Sequence, residues 1–276
     1  MSRHSICVST AAHILTAIIF GAFLAAPVCA QEPDDDAQLR PAEPDFVVVN
    51  LPTTLPLPVH GGDFHLTHRF NENLRSDSFS DQVQNLFGLD NGANIGLEFR
   101  FGVMKHLEAI AQRTSLGKTI QLSGKYDGWH QTSSRPFSLS AMVSVEGDDN
   151  FSESFAPAFG ASIGHTVGTR LALYATPFWV HNTAPNAGET RDTGFLGVGA
   201  RVRFLESAYL LGEVTPRIGG LALGDPEYAF AVEKRVGAHV FSLTFANGAS
   251  TTFRQLARGG VPGGLYLGFN LTRKFF

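Results

Sequence analysis

Ala93-Asn94-Ile95-Gly96-Leu97-Glu98-Phe99-Arg100-Phe101 alternates an apolar residue with a polar or small one at every step. Successive side chains of a strand point to opposite faces, so Ala93, Ile95, Leu97, Phe99 and Phe101 form one apolar face. Asn94, Gly96, Glu98 and Arg100 form the other. The stretch from Phe137 to Glu146 repeats the pattern, and so does Leu196 to Phe204, where Gly197, Gly199, Arg201 and Arg203 take the polar side. Working outward, twelve segments can be read with period two. They lie near 62–70, 92–102, 107–114, 118–126, 137–146, 157–167, 171–180, 194–204, 208–217, 228–235, 239–246 and 265–276. In the third, Leu107, Ala109 and Ala111 compete with Ile110 for the apolar face.

Alternation alone suits a soluble sandwich as well as a membrane barrel. The connections favour the barrel. Those at 71–91, 115–117, 147–156, 181–193, 218–227 and 247–264 are mostly long and polar, and the intervening ones, at 103–106, 127–136, 168–170, 205–207 and 236–238, are mostly tight. An even-stranded barrel with both termini in the periplasm needs that asymmetry. Each segment also approaches the ~9–11 residues that cross the hydrocarbon at a tilt. The expected fold is therefore all-β: a closed antiparallel up-and-down transmembrane β-barrel of about 12 strands, preceded by an N-terminal signal helix. Trp129, in an inner turn, and Trp179, toward the outer end of its strand, are expected at the two membrane interfaces.

The start of the chain fixes the compartment. Arg3, His4 and His13 lie in a polar opening, Ile14 to Ala26 are apolar, and Val28-Cys29-Ala30 supplies a small-residue cleavage site. Residues 1–30 are thus expected to be a signal peptide, residues 31–60 a proline-rich periplasmic tail and residues 61–276 the barrel. The tail opens on Glu32-Pro33-Asp34-Asp35-Asp36 and carries further prolines at 41, 44, 52, 56 and 58, which favour extended conformations. Val47-Val48-Val49 is a candidate short docking strand within it. The only cysteines, Cys7 and Cys29, fall in the signal, so the remainder has no disulfide, thiolate nucleophile or cysteine metal site. Loss of Arg3 with the signal leaves 20 Lys+Arg against 25 Asp+Glu. An acidic balance without a basic stripe gives no sign of a nucleic-acid partner.

Particular strings carry a family resemblance. Phe87-Gly88-Leu89-Asp90-Asn91-Gly92 running on to Arg100, Arg113-Thr114-Ser115 with Lys118-Thr119-Ile120, Thr67-His68-Arg69-Phe70 and Gly212-Glu213-Val214-Thr215-Pro216-Arg217 are among them. So are the run from Glu233-Lys234-Arg235 to Gly260 and the final Arg273-Lys274-Phe275-Phe276. The chain after Gly61 resembles the bacterial domain-of-unknown-function family 5777. That resemblance implies a signal-bearing, single-domain outer-membrane barrel with no settled activity, and it supplies no substrate, cofactor or catalytic residue.

Charges on the polar faces are the candidate functional set: Arg69, Glu98, Arg100, Lys125, Arg201, Arg203, Glu213, Arg217, Glu233 and Arg235, with Glu146 beside them. A charge facing lipid costs roughly 2–4 kcal/mol near the midplane, so these are expected to face the lumen. They either select ions along a pore or fill the barrel with mutually neutralising pairs. Glu213, Arg217, Glu233 and Arg235 are expected to cluster, with Arg217 at the mouth as an anion contact. Two loop stretches are candidate helices that could fold inward: one capped by Ser80 or Asp81, the other Thr251 to Arg258 closed by Gly259-Gly260.

No catalytic or metal site is read. His65 and His68 are three apart and so on opposite strand faces, as are Ser162 and His165, and no G-x-S-x-G or H-E-x-x-H occurs. No cofactor is expected. The leading expectation is a non-enzymatic narrow pore or binding barrel for a small solute in outer-membrane lipid. The alternative is a closed barrel that anchors a periplasmic protein. In the last segment Phe275, Leu271, Phe269 and Leu267 share the apolar face, so Phe276 is expected either to turn inward or to follow a bulge near Arg273-Lys274.

Overall fold

The computed structural model describes residues 41–276 apart from 77, 90, 185–189 and 221–223. The expected signal, and the expected tail up to residue 40, lie outside the described residues.

Twelve strands form the wall: β1 (Gly62–Asn73), β2 (Ala93–Met104), β3 (Leu107–Thr114), β4 (Ile120–Trp129), β5 (Ser138–Gly147), β6 (Glu153–Val167), β7 (Leu171–Val180), β8 (Thr193–Leu205) and β9 (Ala208–Thr215), then, after the short β10 (Arg217–Gly219), β11 (Glu227–Val236), β12 (His239–Ala246) and β13 (Tyr266–Phe275). Each pairs antiparallel with its neighbour, and β1 pairs with β13, so the sheet closes on itself. Closure is what lipid demands, because an unpaired edge cannot be hydrogen-bonded in hydrocarbon.

Pro216 splits the stretch expected as one strand at 208–217. Proline has no N–H to give the ladder. β9 stops at Thr215, and the three-residue β10 carries the pairing with β8 on to its outer end.

The alternation governs which way side chains point. Along β2, Ile95, Leu97, Phe99 and Phe101 are exposed on the outer face of the barrel, and Glu98 and Arg100 are buried inside. In β3, Ile110 faces the lumen and is buried, while Ala109 and Ala111 face out. Trp129 lies at the short-turn end of β4 with the Arg135 guanidinium 4.4 Å over its ring. Trp179 lies at the long-loop end of β7, stacked between Phe159 and His181.

The closing strand keeps an unbroken register with β1 from Gly62↔Phe275 to Arg69↔Gly268. There is no bulge at Arg273-Lys274. Phe275 faces lipid, and Phe276 packs against buried Phe46, Leu55 and Leu57.

Both loop stretches expected as helices are helical. α1 (Phe79–Gln84) is capped by the Ser78 side chain, not by Ser80 or Asp81, and Phe79 at its start is exposed. α2 (Phe253–Arg258) has a full capping box between Thr252 and Gln255 and ends at Gly259, whose φ of 85° suits a residue without Cβ. It is buried within the barrel, with Leu256 and Ala257 at 0% exposure.

Candidate functional site

The interior of the barrel is filled by the protein's own N-terminal segment. Between residues 41 and 59 the chain was expected to run through the periplasm as a tail. It instead enters the lumen at the short-turn end, turns at Val49-Asn50 and returns to β1. Phe46, Val48, Val49, Leu51 and Leu55 are at most 2% exposed. Val47 bridges Pro52, Val48 N–H donates to Leu51 C=O at 2.8 Å, and Thr53 N–H donates to Phe46 C=O at 2.9 Å, so the segment is a hairpin.

Its composition explains why it can be buried. Pro41, Pro44, Pro52, Pro56 and Pro58 bring no N–H, which lowers the number of donors that need partners away from water. The carbonyls are met by side chains from the wall. Arg201 donates to Val47 (2.7 Å), Asn270 to Val49 (3.0 Å), Ser162 to Pro52 (2.7 Å), Lys125 to Leu55 (2.6 Å) and Tyr209 to Pro41 (3.0 Å). Small wall residues make room. Val48 lies over Gly199, Leu51 over Gly197 and Thr54 over Gly164.

The tip is latched by one carboxylate. Glu213 accepts hydrogen bonds from the backbone N–H of Val49 (2.9 Å), Asn50 (2.9 Å) and Leu51 (3.1 Å), and from Asn50 Nδ2 (2.9 Å). Arg69 donates to Asn50 Oδ1 at 3.1 Å and to Asn270 Oδ1 at 2.7 Å. Nearer the short-turn end, Asp45 accepts from Thr272 Oγ1 at 2.8 Å. Burial opposes the Asp45 charge, but Lys274, His65 and Arg201 outweigh it and hold the carboxyl below its ordinary range.

The other expected lumen charges divide by height. Arg100 pairs with Glu98 at 2.6 Å, Arg201 with Glu233 at 3.1 Å, and Lys125 with Glu108 at 3.2 Å and Asp127 at 3.0 Å, all buried. Arg254 of α2 pairs with Glu146 at 3.0 Å. Arg203 and Arg235 are half-buried near the short turns, where Arg203 donates to Glu206 C=O. Arg217 is at the opposite end, donating to Arg258 C=O and Gly224 C=O at 2.7 Å each.

The expected cluster of Glu213, Arg217, Glu233 and Arg235 does not form. β9 and β11 run antiparallel with Glu213 opposite Ala229 and Glu233 opposite Tyr209. That offset of four residues separates the two carboxylates by roughly 13 Å along the sheet. Arg217 bonds backbone carbonyls, not an open mouth.

Inward charges outside the expected set are Asp63, Glu108, Asp127, Glu227 and Lys274, each at most 3% exposed. Their parity was readable for Asp63 and Lys274. Glu108 was hidden by the ambiguous face of β3, and Asp127 and Glu227 by strand ends set short of them.

At the long-loop end a cavity of about 450 Å³ is lined by Phe70, Asn71, Asn94, Ser250, Arg258 and Tyr266, among others. Between hairpin and α2 only about 10 Å³ is left, beside Asn50, Arg100, Gln121, Thr251 and Phe253. That is the space of about one water molecule. Among the described residues, hairpin and α2 together occupy this level of the lumen.

A family model described as a membrane bound beta barrel domain matches residues 45–275. The chain belongs to that family, domain-of-unknown-function family 5777. The match begins at Asp45, so the family's domain takes in the hairpin together with the wall. Solved structures of similar fold are outer-membrane porins. The KdgM porin in complex with disordered oligogalacturonate aligns with a TM-score of 0.50 at 9% identity, over 78% of this chain and 99% of that one. The NanC porin aligns with a TM-score of 0.51 at 6% identity over the same shares. No curated protein sequence matches the chain. Family and fold together make this protein a membrane-bound β-barrel of the outer membrane, similar in fold to porins.

Proposed function

We propose that this family member is a gated conduit for small solutes, without chemistry of its own, and that the hairpin of residues 41–59 is its gate. The observation that carries this reading is the way the lumen is filled. The hairpin is held to the wall by side-chain hydrogen bonds and packing from many strands, so it can leave the lumen as a unit. α2 rests on the β4 and β7 side of the wall: Phe253 N–H donates to Gln121 Oε1 at 2.9 Å, and its ring stacks on Phe178 at 4.2 Å. The hairpin tip instead meets β1, β9 and β13 through Arg69, Glu213 and Asn270. Withdrawal of the tip therefore frees the half of the barrel that α2 does not cover, beneath the outer cavity.

The rival reading is a permanently closed barrel that anchors a periplasmic protein, and a disulfide lock separates the two. A Cβ on Gly199 would lie 3.7 Å from the Val48 Cβ, within the range of a disulfide. The full-length V48C/G199C protein in planar bilayers is expected to be silent when oxidised and to show stepwise conductance when reduced. Silence in both states, from protein shown to be a folded barrel, supports the anchor and overturns the conduit.

A further inference from the structure

We infer that the open conduit favours cations and N–H-rich solutes over anions, with Glu213 as the residue that engages them; this rests on the gating reading above. In the closed state every hydrogen bond of Glu213 among the described residues comes from the hairpin. The tip offers it three backbone N–H groups and an amide NH₂, a face made only of donors. An ammonium or guanidinium group presents the same face to a carboxylate.

The charges around the tip have the same sign of preference. Glu227, on the strand next to Glu213 and also facing inward, is 2% exposed, and among the described residues neither of its carboxylate oxygens has a hydrogen-bond partner. Arg69, which donates to the same Asn50 side chain that Glu213 holds, supplies the guanidinium at this level. Elsewhere the wall keeps its own cation partners when the hairpin leaves, one-to-one at Arg201 and Lys274 and with one carboxylate in excess at Lys125. Arg201 keeps Glu233, Lys125 keeps Glu108 and Asp127, and Lys274 stands opposite Asp63 across the β1–β13 pair. At the level of the tip, however, withdrawal strips Glu213 of all four donors and leaves two carboxylates facing one guanidinium. A surplus negative charge in a narrow, low-dielectric passage raises the local concentration of cations. Arg203 and Arg235 sit at the periplasmic rim, where water and salt screen them.

The test uses the reduced V48C/G199C protein in a planar bilayer across a KCl gradient, with guanidinium chloride then added as the probe. The reversal potential is expected to show K⁺ preferred over Cl⁻, and guanidinium is expected to slow the K⁺ current. Adding E213Q or E227Q is expected to lower the K⁺/Cl⁻ permeability ratio about threefold or more, and E213Q to relieve the guanidinium block. Because the first measurement needs neither variant, a misfolded E213Q protein does not protect the inference. Conductance that prefers Cl⁻, or a preference that both variants leave unchanged, overturns the inference and leaves the conduit standing. Absence of conductance in the reduced protein overturns both.

Discussion

Glu213 is the residue that holds the hairpin tip to the wall. Its carboxylate takes the three N–H groups that the tip of a hairpin would otherwise bury without partners. Each buried donor left unpaired costs about 1–3 kcal/mol, so Glu213→Ala is expected to loosen the tip by several kcal/mol without breaking the wall. Hydrogen exchange checks this: the amides of Val49, Asn50 and Leu51 should lose protection in the variant while those of β9 keep theirs. Equal protection in both proteins would show that the latch lies elsewhere. Gly164 tests the same packing from the wall, since a Cβ there would lie 2.3 Å from Thr54 Oγ1. Gly164→Val is expected to displace the returning arm of the hairpin and to expose residues 52–57 to limited proteolysis from the periplasmic side.

At the scale of elements, the strands and the hairpin follow different rules. A strand here needs one face for lipid and one for the lumen, and β2 shows both. Phe99 is 48% exposed on the outer face, and Arg100, its neighbour, is buried at 3%. Phe99→Arg is expected to destabilise the barrel by ~2–4 kcal/mol in lipid, measured by urea unfolding from vesicles, because the new charge faces hydrocarbon. For α2 the decisive feature is its cap. Thr252 and Gln255 satisfy each other's backbone N–H groups, and Thr252→Ala is expected to weaken the helix by about 1 kcal/mol. On the proposed conduit reading, that should appear as larger current fluctuations in the reduced V48C/G199C protein, since α2 would line one side of the passage. The alternation of β2 and the Thr252–Gln255 spacing are both visible in sequence, because strand parity and helix capping are local. The hairpin was not. Its five prolines read as an extended tail, and only the partners that reach it from β4, β6, β8, β9 and β13 show that few donors is what a lumen requires.

For the whole molecule, the sequence by itself determined the number and polarity of the strands, the long and short ends of the barrel, and the inward face that carries Arg69, Glu98, Arg100, Lys125, Arg201, Glu213 and Glu233. Those follow from period two and from the cost of placing charge or an open sheet edge in lipid, which act on every residue where it stands. Pairing of the inward charges was beyond it, because partners such as Arg201 and Glu233 are 32 positions apart and meet only through β8, β9 and β11. The contents of the lumen were further out of reach. A hairpin 163 positions from Glu213 is held there by contacts that no local pattern announces. Only the closed sheet brings strands from both ends of the chain around one interior, and the inside of a barrel is a tertiary object: the wall is written strand by strand, but what fills it is chosen by the shape and charge of all twelve together.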